Sequence, residues 1–367
     1  MKLGYGLITC QRYPGDPRTP TDLYREALEL ARLCEDVGLD SVWTSEHHFW
    51  DDDYMPSLLV MSAAMAAVTT KIEIGTGVLL APLYDPIRLA EDAATVDLIS
   101  GGRFILGLGI GWRQEEFDRL GVPMEGLGRR MSETVRVLRR AWGPSTFTFE
   151  GDVYNYPPTN VTPKPSRRIP IWLGGFVDNA VRRAGRIADG YLGSLVAIDD
   201  VRRRVDLAKE GMARRVRQGG PGGVAAPLGT DPRAPEAANP PNQASARDFT
   251  FAIHEPVLVT ADGSGGVEEF LPYVHNSRWK YDDMRQEFGR ATDGPLPEPP
   301  AMDEKRKQAL QSMLIAGDPS QVAARIHEFG EAAGEDLHFV ARSYYPGVPF
   351  DQAKRLVELL GEVKSLL

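Results

Sequence analysis

Short apolar segments alternate along the chain with longer segments whose apolar residues recur every three or four positions. The short segments are typical of buried strands, and the longer ones are typical of amphipathic helices. Because strand and helix alternate, the pattern predicts parallel β/α units with right-handed crossovers. We therefore predict an α/β fold, a (β/α)8 TIM barrel with insertions, formed by residues 1–367 as a single domain. The eight predicted strands are 2–9, 41–44, 71–82, 103–109, 169–175, 190–194, 249–260 and 338–342.

Three segments interrupt the alternation. The segment Phe147–Tyr156 alternates apolar and polar residues on both sides of a Glu-Gly-Asp turn, which predicts an inserted β-hairpin. Segment 218–248 is rich in Gly, Pro and Ala, with few large apolar side chains, so we predict a mobile insertion away from the site. Segment 261–318 follows the seventh strand and therefore leaves the barrel on its catalytic face, where we expect a lid.

Two helix starts can be read from residues that cap helices. We expect the first helix to begin with Thr21 or Asp22 as its N-cap, because both side chains accept hydrogen bonds from a first helical turn. Asp85-Pro86 predicts the start of a later helix, since proline is favoured at the first helical position. Gly101-Gly102 predicts its end.

Composition and charge exclude several classes of protein. The 367 residues include 42 Lys and Arg against 51 Asp and Glu, a net charge of −9, and the basic residues are scattered. This distribution argues against nucleic acid and an anionic membrane as partners. The two cysteines form no disulfide framework, and no apolar stretch is long enough to span a membrane. Without a recognisable signal peptide, the protein is expected to be cytoplasmic.

Candidate chemistry begins where the second strand ends, because the predicted strand 41–44 continues directly into Glu46, His47 and His48. Titratable residues at the carboxyl end of a barrel strand are typical of catalytic sites. His47 is our candidate acid or base, although a core histidine with backbone partners is the alternative. Glu46 is a second catalytic candidate that could instead orient a neighbour or brace a loop. Adjacent strand residues point to opposite faces, so we expect His48 to be structural.

Histidine spacing does not favour a metal site. Neither a His-X-His pair nor a His-Glu-X-X-His motif is present, so zinc hydrolysis is a weak alternative and we predict no metal site. The six histidines are His47, His48, His254, His275, His327 and His338.

The glycines of the fourth strand resemble part of a dinucleotide-binding motif. Gly107, Gly109 and Gly111 have the first spacings of that motif, but Trp112 follows, and the motif belongs to a doubly wound sheet. In a barrel, Gly109 and Gly111 can instead allow the backbone to approach a bound ligand or phosphate closely. A tight turn before the next helix is the alternative without a ligand.

Several motifs together resemble the bacterial luciferase-like flavin-dependent oxidoreductases. The resemblance covers nearly the whole chain except 218–248 and much of 261–305. The motifs, in chain order, are Ser45-Glu46-His47-His48-Phe49, Gly75-Thr76-Gly77-Val78, Gly101-Gly102-Arg103-Phe104, Gly107-Leu108-Gly109-Ile110-Gly111-Trp112, Ile171-Trp172-Leu173-Gly174-Gly175 and Ala316-Gly317-Asp318-Pro319.

This resemblance implies an activity and a set of partners. It implies monooxygenation of a small organic substrate with oxygen and reduced FMN, which a separate flavin reductase would supply, with His47 acting beside the flavin. Hydride transfer with the deazaflavin coenzyme F420 is an alternative, and a flavin-binding protein without turnover is another. The resemblance also implies a homodimer packed through early helices, for which the apolar helix 58–68 is a candidate.

The same resemblance implies which residues contact the cofactor. Gly77 and Val78, joined by a non-proline cis peptide in the family, would support the isoalloxazine ring. Gly109, Gly111 and Trp112 would also lie against the cofactor.

The flavin phosphate is bound in the family where the helix after the fifth strand begins. Gly174, Gly175, Phe176 and Asn179 occupy this place here. Many relatives have serine or threonine where this chain has Phe176 and Val177, and Ile110 replaces the phosphate-binding arginine of luciferase. These departures weaken the expectation of ordinary FMN binding.

Four residues are candidates for contact with the substrate. Arg342 and Tyr344 follow the eighth strand, Trp279 belongs to the expected lid, and Tyr13 lies in the loop after the first strand. Arginine and tyrosine suit an anionic or aromatic substrate. Packing of these side chains against one another is the alternative.

Overall fold

The computed structural model describes residues 1–217, 249–261, 263–286, 296–334 and 336–367. Eight parallel strands close into a barrel in the order β1-β2-β3-β5-β8-β9-β10-β12, with β4 continuing β3 alongside β5. The predicted barrel is therefore confirmed. The strands are β1 Lys2–Ile8, β2 Ser41–Thr44, β3 Glu73–Thr76, β4 Leu79–Leu80, β5 Phe104–Gly109, β6 Phe147–Glu150, β7 Asn155–Thr159, β8 Ile171–Gly174, β9 Gly190–Ser194, β10 Thr250–Val259, β11 Ile315–Gly317 and β12 Leu337–Arg342.

Helices cover the outside of the barrel, and most of them follow a strand as predicted. Within the described residues, none is long and apolar enough to cross a membrane. The helices are α1 Pro20–Asp36, α2 Leu58–Val68, α3 Pro86–Ser100, α4 Gln114–Arg119, α5 Leu127–Ala141, α6 Asp178–Ile187, α7 Ile198–Arg217, α8 Val267–Gln286, α9 Glu304–Met313, α10 Pro319–Ala333 and α11 Phe350–Leu366.

Capping residues explain where helices α1 and α3 begin and where α3 ends. The predicted N-cap of α1 at Thr21 or Asp22 is wrong, because Thr19 caps the helix and forms a capping box with Asp22. Asp85 does cap α3, accepting hydrogen bonds from the first turn. Gly101 ends α3 in the left-handed conformation at φ 64°, as its sequence predicted.

Two tryptophans fill the lower part of the barrel. Trp43 and Trp172 stack with ring centroids 5.2 Å apart. Glycines on the neighbouring strands provide the room, since a Cβ on Gly75 would lie 2.3 Å from the Trp43 ring and one on Gly190 would lie 2.6 Å from Trp172. His338 is buried beside them, 2.7 Å from the Ser41 hydroxyl. This packed layer leaves the carboxyl ends of the strands as the place for a site.

The predicted inserted hairpin is confirmed, and the role of segment 261–318 as a lid stays a prediction. β6 and β7 form the predicted antiparallel hairpin. The segment 261–318 contains α8, α9 and β11, and β11 extends the sheet in parallel beside β10. The predicted mobile insertion 218–248 lies outside the described residues.

Candidate functional site

A buried histidine–carboxylate pair lies at the carboxyl end of the barrel. His47 is 5% exposed, and its Nδ1 is 2.8 Å from Oε1 of Glu116, a buried residue of α4. The same oxygen accepts a hydrogen bond from the backbone N–H of His48 at 2.9 Å. An ionised carboxylate can only accept, so this geometry assigns the proton to Nδ1 and leaves Nε2 of a neutral ring as the acceptor.

Glu116 is charged despite its burial. Burial alone would raise the pKa of this carboxyl group, but the hydrogen bonds from His47 and His48 and the nearby Arg113 outweigh it. The pKa of Glu116 therefore lies below its ordinary value. A fixed negative charge next to the imidazole stabilises the protonated ring that forms when His47 accepts a proton.

Aromatic rings enclose His47. The rings of Tyr54, Trp112 and Tyr281 approach it edge-on, with centroids 4.9, 5.7 and 5.8 Å away. The hydroxyl oxygens of Tyr54 and Tyr281 are 3.0 Å apart. Tyr281 belongs to α8, so the predicted lid segment supplies part of this enclosure. The surroundings keep the imidazole in one orientation and limit the access of water.

Glu46 and His48 have structural partners. The Glu46 carboxylate accepts hydrogen bonds from the backbone N–H of Leu80 at 2.6 Å and the hydroxyl of Tyr84 at 3.1 Å. This contact braces the loop after β4, which was the alternative to catalysis for Glu46. Its catalytic role stays a prediction.

The side chain of His48 lies near the carboxylate of Glu46, whereas that of His47 pairs with Glu116. Nε2 of His48 is 3.9 Å from Oε1 of Glu46. Burial alone would lower the pKa of His48, but Glu46 and Glu116 outweigh it and raise the pKa. The side chains of His47 and His48 have different partners, as expected, but strand alternation is not the cause. β2 ends at Thr44, so neither histidine belongs to a strand.

The strand ends beside this pair form a small apolar platform. The Gly77-Val78 peptide is cis. Val78 is half-buried and lies against two glycines, since a Cβ on Gly109 would be 2.4 Å from one Val78 methyl group and one on Gly174 would be 3.1 Å from the other. Four predicted cofactor residues, Gly77, Val78, Gly109 and Gly174, therefore converge around one apolar side chain, and their contact with a cofactor stays a prediction.

Gly111 and Trp112 lie at the edge of the site. Gly111 has φ 75°, and a Cβ there would be 2.7 Å from the Phe117 ring, so glycine is required for this turn. Trp112 follows it and packs against His47. Gly111 therefore positions Trp112, and contact of either residue with a cofactor stays a prediction.

The start of α6 does not fit a phosphate group well. Phe176 and Val177 are 63% and 65% exposed, and Val177 provides no side-chain cap. The first turn carries the carboxylate of Asp178, which pairs with Arg203 at 2.7 Å. A negative charge at a helix N-terminus opposes an anion there. Asn179 is exposed and Gly175 packs against Ala180. The sequence differences from the family pattern at Phe176 and Val177 therefore coincide with a helix start that suits a phosphate group poorly.

The four predicted substrate residues do not lie together. Arg342 and Tyr344 line one cleft with Tyr281 of the lid. Tyr13 packs against Tyr273 with ring centroids 5.3 Å apart, and it is not among the residues that line this cleft. Trp279 lies under the amine of Lys280, 5.4 Å from its ring centroid. Substrate contact by these residues stays a prediction.

The sequence matches one family along most of its length. The family model described as luciferase-like monooxygenase matches residues 1–336. The chain belongs to this family. Its members are oxidoreductases that use FMN or F420, so this luciferase-like protein is an enzyme of that class.

Relatives of this luciferase-like protein use both cofactors. F420-dependent glucose-6-phosphate dehydrogenase of Kineococcus radiotolerans is 28% identical over 100% of this chain and 97% of its own length. The oxygenase component of the flavin-dependent trigonelline monooxygenase of Acinetobacter baylyi is 31% identical over 48% of this chain and 50% of its own. Two of the first three curated relatives are thus matched over only about half of their length.

Solved structures confirm the fold of this luciferase-like protein. The monooxygenase RslO1 from Streptomyces bottropensis superposes with a TM-score of 0.77 and 20% identity, over 99% of this chain and 98% of that one. At this identity the likeness concerns the fold alone.

A buried lysine that sequence reasoning missed holds the lid of this luciferase-like protein. Lys280 of α8 is 3% exposed, and its amine is 2.7 Å from the Asp51 carboxylate and 3.9 Å from that of Asp52. The amine also lies 4.9 Å from the centroid of the Trp50 ring. The lid helix is therefore tied to the loop that follows His47. Three consecutive aspartates were the signal in the sequence, but nothing in it identified their partner.

β10 carries two further titratable residues that face Arg342. Burial, with the positive charge of Arg342, lowers the pKa of His254 to about 3. Burial raises the pKa of Glu255 to about 7, although the Val196 N–H and Arg342 oppose this shift. Within the described residues, no group of three or more His, Cys, Asp or Glu side chains is placed to hold a metal ion.

Proposed function

We propose that this enzyme is a luciferase-like monooxygenase, which uses reduced FMN from a separate flavin reductase and oxygen to oxidise a small organic substrate. The observation that carries this proposal is the enclosed His47–Glu116 pair at the carboxyl end of the barrel. Proton transfer is required when oxygen is reduced, and an imidazole held by a charged carboxylate is suited to it.

The proton-transfer pair and the apolar platform lie at the same end of the barrel. Leu80, two residues after Val78, donates its N–H to Glu46, the residue before His47. Gly77 donates its N–H to the Thr44 carbonyl at 2.7 Å. We propose that Val78, with Gly109 and Gly174 beneath it, supports the flavin ring. Reduced FMN supplies the two electrons with which one oxygen atom is transferred to substrate and the other leaves as water.

Side chains of the protein transfer the proton, exclude water and hold the lid helix in place. Nε2 of His47 accepts a proton from the reacting groups and returns it, while Glu116 stabilises the charged ring between these steps. Tyr54, Trp112 and Tyr281 exclude water from the pair. Lys280 keeps the lid helix that carries Tyr281 in place.

Hydride transfer with F420 is a second candidate, because a relative that matches the full length of the chain is F420-dependent. The start of α6, with Phe176, Val177 and the Asp178 carboxylate, weakens the expectation of ordinary FMN binding without selecting F420.

Binding of reduced FMN, FMN and F420 to the purified protein tests both candidates. We expect reduced FMN to bind the native protein, the His47→Ala variant and a His327→Ala control, whose histidine is exposed on α10. After mixing with oxygen, the reoxidation rate of bound flavin should change by about 100-fold in His47→Ala alone. Selective binding of F420 without oxygen uptake would support hydride transfer. Binding of neither cofactor would contradict both candidates.

A further inference from the structure

A largely apolar cleft lies between the lid and the carboxyl ends of β10 and β12. The space within it that a water-sized molecule can enter is about 60 Å³, and the cleft is partly open to solvent. The apolar part of its lining comes from α8, α9 and its C-cap, β10 and the loop after β9. These residues are Leu195, Pro256, Val274, Leu310, Met313 and Leu314.

Three hydrogen-bond donors face this apolar cleft. Arg278 of α8 and Arg342 of β12 line it, and among the described residues neither guanidinium has an ion-pair or hydrogen-bond partner. Arg342 lies instead over the Tyr281 ring, 5.6 Å from its centroid. The hydroxyl of Ser277, which also lines the cleft, is buried without a hydrogen bond. A buried hydroxyl is normally paired, and the two arginines beside it are half-buried, so these groups indicate an acceptor that a ligand provides.

The charges around Arg342 leave the cleft positive. His254 faces the arginine from β10, and its strongly lowered pKa keeps it neutral. Glu255, the nearby acid, accepts the backbone N–H of Val196 at 2.6 Å, and its raised pKa leaves it partly protonated at neutral pH. Among the residues that the structure describes, none gives these two arginines a full counter-charge.

We infer that this cleft is the substrate subsite, and that it binds a small organic anion with an apolar body. Arg342 and Arg278 bind the anionic group, Ser277 donates a further hydrogen bond, and the apolar lining holds the rest of the molecule. The inference rests on the proposed function in treating this anion as the substrate.

Tyr281 connects the cleft with the proton-transfer pair. Its ring lies 5.6 Å from the Arg342 guanidinium and 5.8 Å from the His47 ring. The cleft lining includes neither Val78 nor Gly109 nor Gly174, the three residues proposed to support the flavin ring. An anion bound at Arg342 would therefore lie beside Tyr281, whose ring also contacts His47, and would leave the cofactor platform free.

Equilibrium binding to the cofactor-free protein tests this inference. The probes are octanoate and phenylacetate, each compared by calorimetry with its uncharged amide, octanamide and phenylacetamide. We expect each carboxylate to bind at least about ten-fold more tightly than its amide. Arg342→Gln should weaken carboxylate binding by about 10- to 100-fold and leave amide binding unchanged. Arg278→Gln, at the other side of the cleft, should act in the same direction, and thermal unfolding confirms that each variant is folded.

Arg325→Gln is the matched control, because Arg325 lies on α10 and pairs with Glu328 outside the cleft. Equal binding of carboxylates and amides, or equal losses in Arg342→Gln and the control, would overturn the inference. If F420 binds and loses affinity in Arg342→Gln while the carboxylates do not bind, the arginines hold the anionic tail of the cofactor, and the substrate assignment is wrong. Carboxylate binding that depends on Arg342 in a protein that reacts with neither cofactor would instead contradict the proposed function and leave the anion subsite standing.

Discussion

At the scale of single residues, His47 could be predicted from the sequence and its partner could not. His47 lies in a short stretch that joins a strand to a histidine pair, and both position and motif indicate chemistry. Glu116 is 69 residues away, next to Glu115, and nothing in the local sequence distinguishes the two carboxylates. The fold alone brings Glu116 to the imidazole, while Glu115 pairs with Arg113.

Replacing Glu116 by Gln tests the role of the charge next to His47. Glutamine keeps a hydrogen-bond acceptor for Nδ1 but removes the negative charge that stabilises the protonated ring. We expect flavin binding to change little and the reaction of bound reduced flavin with oxygen to slow by about 10- to 100-fold. Stopped-flow absorbance measures this rate, with the exposed Glu125→Gln as control. A rate equal to that of the control would show that the carboxylate only positions the ring.

Glu255 should make folding stability depend on pH. Its pKa rises to about 7 in the folded protein, against 4.5 when the carboxyl is exposed. The folded state therefore holds this proton more tightly, so the stabilisation is complete below about pH 4.5 and is lost as the pH rises through 7. We expect the native protein to lose about 2–3 kcal/mol relative to Glu255→Gln between pH 4.5 and pH 8.

Denaturant unfolding at several pH values measures this difference. Glutamine keeps the acceptor for the Val196 N–H, so the two proteins should be closest in stability at low pH. Parallel pH curves for the two proteins would contradict the assigned shift.

At the scale of elements, the strands and helices could be predicted from the spacing of apolar residues, whereas contacts between elements could not. The apolar segments placed all eight barrel strands, because a strand buried on both faces is nearly continuous in apolar residues. Segment 261–318 was expected to be a lid because it follows the seventh strand, and that role stays a prediction. Its attachment through Lys280 depends on a contact between residues 229 positions apart, which no local pattern encodes.

The Lys280→Met variant tests this attachment. Removing the amine leaves Asp51 and Asp52 buried without its charge, and loss of one partner from a buried ion pair costs about 3–5 kcal/mol. Because the pair joins the lid to the barrel, we expect faster amide hydrogen exchange throughout α8, with the barrel strands still protected. Lys307→Met is the control, since that lysine pairs with Glu268 at the surface and should change exchange little. Unchanged exchange in α8 would show that apolar packing alone holds the lid.

At the scale of the whole molecule, family membership was predictable because many short motifs occur in the family's order. The cofactor was not, because relatives use either FMN or F420, and this chain departs from the family's common pattern at Phe176 and Val177. The proposed substrate subsite was only partly visible in the sequence. Arg342 stood out at a strand end, but Ser277 and Arg278 become partners only when α8 folds over the barrel.

The association of two copies is the remaining prediction at this scale. Helix α2 is apolar around its whole circumference, and Val60 is 72% exposed while Leu59 and Met61 beside it are buried. Small residues follow on the exposed side, with Ala67 exposed and Ala63 half-buried, so a second α2 can approach closely. We expect a homodimer packed through α2, in which Val60→Glu places a charge in an apolar interface.

Sedimentation equilibrium should therefore show a dimer for the native protein and a monomer for Val60→Glu. Val177→Glu is the control, because that valine is 65% exposed and lies outside α2. If the charge at position 60 alone dissociates the dimer, the exposed apolar face of α2 is explained by its partner. A native monomer, or a dimer that both variants preserve, would mean that α2 is not the interface, and the dimer implied by the family resemblance would then need a different surface or would not form.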